Sequence, residues 1–140
     1  MVHLARVVFD TNVLISSILS KRGASHKIVA LAAQGKIQGV TSPAILTEFG
    51  NSIVRDFSFP KHKAERAIRV FLCFLEIADS AERLDIIADE PDNRVLECAI
   101  ACKADYIASW DRHLTDLESF RGITIANPGK ILDALTEGKN

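Results

Sequence analysis

Strand-like and helix-like segments alternate along the whole chain, and Ser-Pro and Asn-Pro pairs mark helix starts after short apolar runs. Together they predict an α/β sandwich with a mainly parallel sheet. Right-handed crossovers in such a sheet bring the strand C-termini to one edge, where ligands bind.

Arg6 to Phe9 is a β-branched and aromatic run ending at Asp10, and a helical pattern starts at Val13. Ile28, Leu31 and Ala32 mark a second helix closed near Gly35, followed by a strand over Ile37 to Thr41. Ser42-Pro43 supplies an N-cap and a first-turn proline for a helix from about Pro43 to Arg55. Lys61 to Ala78 predicts a longer amphipathic helix with Ala64, Ala67, Ile68, Phe71, Leu72 and Leu75 on one side. Ile86-Ile87 is expected to be a short edge strand, and Asp92 or Asn93 to cap a helix running through Lys103. Strands at Tyr106 to Ser109 and Ile123 to Ile125 and a last helix from Asn127-Pro128 complete the order.

At 140 residues, 1–140 is expected to be one domain with one core. With 48% hydrophobic and 25% charged residues the composition is that of an ordinary globular protein. Runs such as Val70 to Leu75 fall far short of the roughly 20 residues of a membrane span, which argues against a membrane protein. The first residues lack the pattern of a signal peptide, and the three cysteines, Cys73, Cys98 and Cys102, lie in helical patterns; a cytoplasmic location with reduced thiols is expected. A net charge of -1 exerts no global pull on polyanions, so nucleic-acid binding would need local patches or metal ions.

Four acids fall where this fold gathers side chains. Asp10 ends the first strand, Glu48 lies on the third helix beside its apolar face, Asp92 opens another helix, and Asp111 follows a strand. Each has a plain structural explanation, as a helix cap, a turn residue or a solvated flank. As a set they have another: crowded carboxylates raise one another's pKa unless a cation neutralises them, and all-oxygen ligation suits Mg²⁺ or Mn²⁺. No Cys/His spacing favours zinc. The stripe of His62, Arg66 and Arg69 is expected to be solvated, and a nucleic-acid track would require it, Lys21-Arg22 or Arg112 to flank the acids.

Val7-Val8-Phe9-Asp10-Thr11-Asn12, Ser42 to Phe49 around Glu48, Asp89 to Ala99 around Asp92, and Ala104 to Leu114 around Asp111 resemble, in order, the four motifs of PIN domains. The likeness runs from Val7 to Leu135 and is strongest to the branch that forms the VapC-like toxins of toxin–antitoxin pairs. It implies a PIN-like α/β/α sandwich and a Mg²⁺- or Mn²⁺-dependent ribonuclease. Asp10, Glu48, Asp92 and Asp111 would be its catalytic acids and metal ligands, with Asn12 and Ser109 in support. It also implies an RNA substrate, a cognate antitoxin and a homodimer. Ser109 stands where Thr is more usual, and Trp110 where a small or polar residue is common; the tryptophan is expected to pack or serve an interface rather than stack on a base. Asp89 and Asp116 are expected at the surface or as outer-shell acids. Two other functions compete: a PIN-like binding module without catalysis, and a haloacid-dehalogenase-like phosphatase, against which Asn12 counts because a second aspartate would be needed there.

Overall fold

The computed structural model describes residues 3–137. Six strands form one sheet: β1 (Arg6–Phe9), β2 (Gln38–Thr41), β3 (Glu76–Ile77), β4 (Tyr106–Ala108), β5 (Ser119–Phe120) and β6 (Ile123–Ala126). Their order is β3-β2-β1-β4-β6-β5, and every pairing is parallel except the β5–β6 hairpin. Seven helices accompany them among the described residues: α1 (Thr11–Leu19), α2 (Ala24–Ala33), α3 (Pro43–Phe57), α4 (Lys61–Leu72), α5 (Glu90–Cys102), α6 (Arg112–Thr115) and α7 (Pro128–Glu137). This is the α/β architecture with a mainly parallel sheet that the sequence predicts.

Val7, Val8 and Phe9 are all buried because β1 is central and covered on both faces, which turns the usual alternation into a continuous apolar run. The chain crosses outward from β1 to β2 and β3, then returns through α5 to β4 on the other side of β1. With right-handed crossovers this reversal sets α2 and α5 on opposite faces of the sheet. It also opens a crevice at the C-terminal ends of β1 and β4, the topological switch point where α/β folds bind ligands.

Three expectations are corrected. The helix beginning at Lys61 ends at Leu72, not Ala78. Leu75 stands four residues after Phe71 and still donates its N–H to the Phe71 carbonyl, so helical periodicity counts it. Glu76 and Ile77 are instead held by β2, and periodicity within one segment carries no information about a strand partner. Ile86-Ile87 is not a strand: both N–H groups donate to Asn93 Oδ1, each at 2.9 Å, and a side chain thus occupies the place of a neighbouring strand. Helix α5 starts at Glu90, with Asp89 and neither Asp92 nor Asn93 at its N-cap. Pro91 has no N–H to lose in the first helical turn, so the helix begins ahead of it. The sequence reading also missed α6, a single turn, and β5, which reverses through Arg121 (φ 50) and Gly122 (φ 83).

Gly39 on β2 is a position where the packing around the sheet leaves no room for a side chain. A Cβ there would lie 2.6 Å from Leu75 Cδ2, 2.7 Å from Phe9 Cε2 and 3.0 Å from Ala32 Cβ. Gly39→Ala is expected to lower unfolding stability by about 1–3 kcal/mol, the usual cost of overpacking. Urea denaturation checks this, and an unchanged midpoint would show that the sheet can yield at this point.

Candidate metal centre

The crevice is lined by residues that follow strands or open helices. Asp10 is the N-cap residue of α1: its Oδ1 accepts the Thr11 N–H at 2.7 Å and its Oδ2 accepts the Ser109 hydroxyl at 2.6 Å. The same Ser109 Oγ accepts the Asp111 N–H at 2.9 Å, so one buried hydroxyl ties the end of β1 to the loop after β4. Asp111 caps α6 by accepting the His113 N–H at 2.9 Å, and His113 Nδ1 lies 3.4 Å from the same carboxylate oxygen. Asn12 acts one step away: its Oδ1 accepts the Trp110 N–H at 3.2 Å and holds the loop rather than an acid.

Asp92 projects from the first turn of α5 and is 4% exposed, with Oδ2 buried and without a hydrogen-bond partner. Ligand atoms of Asp89, Asp92, Asp111 and His113 all lie within 4.8 Å of one another. Burial first, then the charges of Asp10 and Asp111, a hydrogen bond shared with the Asp111 carboxyl, and the charge of Asp89 push the Asp92 carboxyl up to about 8 from an ordinary 3.8. Asp10 rises to about 6: burial outweighs the Ser109 and Thr11 hydrogen bonds that pull the other way, and Asp111 and Asp89 add to the rise. Among the described residues no Arg or Lys forms an ion pair with any of these four aspartates.

Asp92 and Asp111 thus come together within the 4.8 Å group; Asp10 stands outside it but near enough for its charge to raise the Asp92 carboxyl, and Glu48 also stands outside it. The Glu48 Oε1 accepts from Ser52 Oγ at 2.9 Å, and with Thr11, Glu90, Pro91 and Arg94 it lines an adjoining depression of about 330 Å³. Asp89 is exposed, as expected, yet one of its carboxylate oxygens lies within the central group, as does a ring nitrogen of His113. Their spacing around Asp92 and Asp111 was the available signal, but it becomes meaningful only once Asp89 is seen to be the α5 N-cap. Asp116 lies elsewhere, in a cavity beyond Trp110. The stripe on α4 sits on a helix that packs against α3, and Arg112 directly follows Asp111 in the chain.

The loop carrying Asp89 has no sheet to support it. Asn93, fully buried, replaces one: besides accepting from Ile86 and Ile87, its Nδ2 donates to the Ile87 carbonyl at 2.7 Å. Beside it Arg94 bonds the Leu84 carbonyl at 2.8 Å, pairs with Glu97 at 2.7 Å and also binds Glu90, while Glu97 accepts the Leu84 N–H at 2.7 Å.

The donor set fits a hard divalent cation. It consists of three carboxylates and the His113 imidazole within a few ångströms, with one carboxylate oxygen buried and unsatisfied and, among the described residues, no Arg or Lys paired with the acids to offset their repulsion.

A family model described as PIN domain matches residues 6–113. An uncharacterized protein of Methanocaldococcus jannaschii is 30% identical over 116 residues, spanning 80% of this chain and 74% of that protein. Among solved structures, a chain of VapBC2 from Rickettsia felis, in a complex bound to a DNA fragment from its promoter, superposes with a TM-score of 0.64 at 17% identity. It covers 87% of this chain and 98% of that one. The PIN domain of Trypanosoma brucei RRP44 superposes with a TM-score of 0.52 at 10% identity, covering 97% and 83%. The switch-point crevice and the family match together place this chain in the PIN-domain family, whose members are generally nucleases.

Proposed function

We propose that this chain is a metal-dependent endoribonuclease, the toxin of a toxin–antitoxin pair, working as a single domain over 1–140 with Mg²⁺ or Mn²⁺. Asp10, Asp92 and Asp111 are its principal ligands, and Glu48 is a further ligand or the group that orients the attacking water. The observation that carries this reading is the buried, unpartnered Oδ2 of Asp92 amid carboxylates that raise one another's pKa. The family match and the shared fold with VapBC2 support a nuclease with an antitoxin partner. Exposed Val54, Phe57, Val70 and Leu72 on α3 and α4 support self-association through those helices. A cytoplasmic location accords with the finding that no described helix is long and apolar enough to cross a membrane.

A bound divalent ion would neutralise charge at the scissile phosphate and make water more acidic. The protein's part is to hold the ligands still. Ser109 fixes Asp10 and the Asp111 backbone through one hydroxyl, and Asn93 fixes the segment leading to Asp89. Asp10 can retain its bonds to Thr11 and Ser109 and still offer acceptor capacity, because each carboxylate oxygen carries two lone pairs. The binding-module alternative is disfavoured because all four acids are retained.

Cleavage of single-stranded RNA is expected to need Mg²⁺ or Mn²⁺, to stop with EDTA, and to fall about a hundredfold or more in Asp10→Asn, since a bound ion contributes several kcal/mol of charge stabilisation. Wild-type rates in purified Asp10→Asn would reject the assignment of these residues.

Stability should move the other way. Because Asp10 titrates near 6 when folded and near 3.8 ordinarily, the folded state holds its proton across that window. The metal-free wild type therefore loses stability, relative to Asp10→Asn, as pH rises from about 4 to about 6, and goes on losing it more gently toward about 8, because the Asp10 charge also raises Asp92. Each pH unit within the window costs up to about 1.4 kcal/mol. Thermal unfolding in EDTA across pH checks the sign; a wild-type deficit that grows as pH falls would contradict it. Added Mg²⁺ or Mn²⁺ is expected to raise the wild-type midpoint increasingly as pH climbs past 6 and most above about 8, where Asp92 as well as Asp10 is charged.

A further inference from the structure

Next to the acids, where β4 and β6 end, lies a cavity of about 520 Å³ whose lining includes Ser109, Trp110, Arg112, Asp116, Asn127 and Lys130. That size is in the range of sites that hold small molecules. Ser109 is a wall of this cavity and also the hydroxyl that binds Asp10, so the cavity and the acid cluster share a boundary. Trp110 was expected to pack, and its edge does: the indole N–H donates to the buried Ser25 hydroxyl at 2.8 Å, and Ser25 is itself bound by Ser16 at 2.6 Å. Trp110 as a whole nevertheless remains 47% exposed. An indole pinned by its N–H and open over much of its surface has little freedom left to lose on stacking.

Arg112 and Lys130 line the same cavity, and among the described residues neither forms an ion pair. Asp116 and Glu118 also line it, so its charge is balanced. A site of that kind holds free phosphate poorly and needs an aromatic partner's contribution. The carboxylates can accept from the N–H groups of a base or the hydroxyls of a ribose.

We propose that this cavity binds one nucleotide of the substrate strand beside the cleavage site, with its base against Trp110 and its phosphate toward Arg112 and Lys130. The identity of that strand as RNA rests on the ribonuclease reading above.

Trp110 is the single tryptophan of the chain, so its fluorescence reports on this site alone. Excited at the red edge of its absorption in the presence of EDTA, the wild-type protein is titrated with 5′-AMP and 5′-UMP, and in parallel with ribose 5-phosphate and inorganic phosphate. Saturable quenching by the nucleotides is expected, with a dissociation constant on the order of millimolar, as one stacked base and one phosphate would give. The base-free phosphates should neither quench nor compete. Lys130→Ala, which removes an exposed side chain and leaves the Trp110–Ser25 bond in place, should weaken binding several-fold. Absence of saturable quenching, equal binding by Lys130→Ala, or competition by ribose 5-phosphate as strong as that by the nucleotides would each overturn the proposal. None of these outcomes depends on metal or on cleavage, whereas failure of the nuclease reading would appear as undiminished activity in Asp10→Asn.

Discussion

Repulsion among carboxylates gathered at one edge of a parallel sheet is the constraint on which the rest of the site depends. Strands β1 and β4 are neighbours running the same way, so the residues that follow them, Asp10 and the Ser109–Asp111 segment, must emerge side by side. Helix α5 then brings Asp92 to the same place. Burial makes each charge harder to sustain, and proximity adds to the difficulty, which is why Asp10 and Asp92 both hold their protons well above the usual carboxylate range. Without a cation the arrangement costs stability at neutral pH, and the apolar sheet beneath it must absorb that cost. Val7, Val8, Phe9 and Ile107 are wholly buried under the crevice, and they do so without placing a polar group there.

The two sides of the crevice are held by different means. On the strand side, ladder hydrogen bonds fix the backbone and a single serine hydroxyl fixes the carboxylate rotamer. On the α5 side the segment from Leu84 to Asp89 has no ladder, and the side chains of Asn93, Arg94 and Glu97 supply the missing main-chain partners. Arg94 and Glu97 are thereby a paired and hydrogen-bonded charge couple, the form in which buried charge is tolerated. The polar residues at the start of α5 therefore divide into two groups: Asp89 and Asp92 face the crevice, and Asn93, Arg94 and Glu97 hold the chain that brings them there.

Much of this was legible from residue patterns alone because the signals were local. The β-branched run before Asp10, Ser42-Pro43 and Asn127-Pro128 each specify their own element within a few residues, and the structure has β1, α3 and α7 where they stand. The failures were non-local. Whether Glu76-Ile77 continues a helix or joins a strand depends on β2, nearly forty residues earlier in the chain, and Ile86-Ile87 looks like a strand until Asn93 occupies its backbone. The same distinction separates the site residues. Asp10 and Asp111 could be placed because they directly follow strands, whereas Asp89 was set aside because its nearness to Asp111 comes from a turn of α5 packed across the sheet.

Capping and metal binding, which are competing explanations for each aspartate in isolation, are compatible once acceptor capacity is counted. A carboxylate offers about four lone pairs, and a helix cap engages one or two of them. Asp10 gives one oxygen to Thr11 and the other to Ser109, and Asp111 gives one to His113; both retain acceptor capacity. The positive ends of helices α1 and α5 favour negative charge at this spot, partly offsetting the repulsion among the acids. What capping cannot account for is Asp92. It lies inside the first turn of α5, beyond the N-cap, and its buried Oδ2 meets no donor. An oxygen in that position is costly to bury unless something positive satisfies it, and the surrounding groups are other carboxylates and the imidazole of His113. The capped aspartates fix the shape of the crevice, and the uncapped one indicates the charge it is shaped to hold.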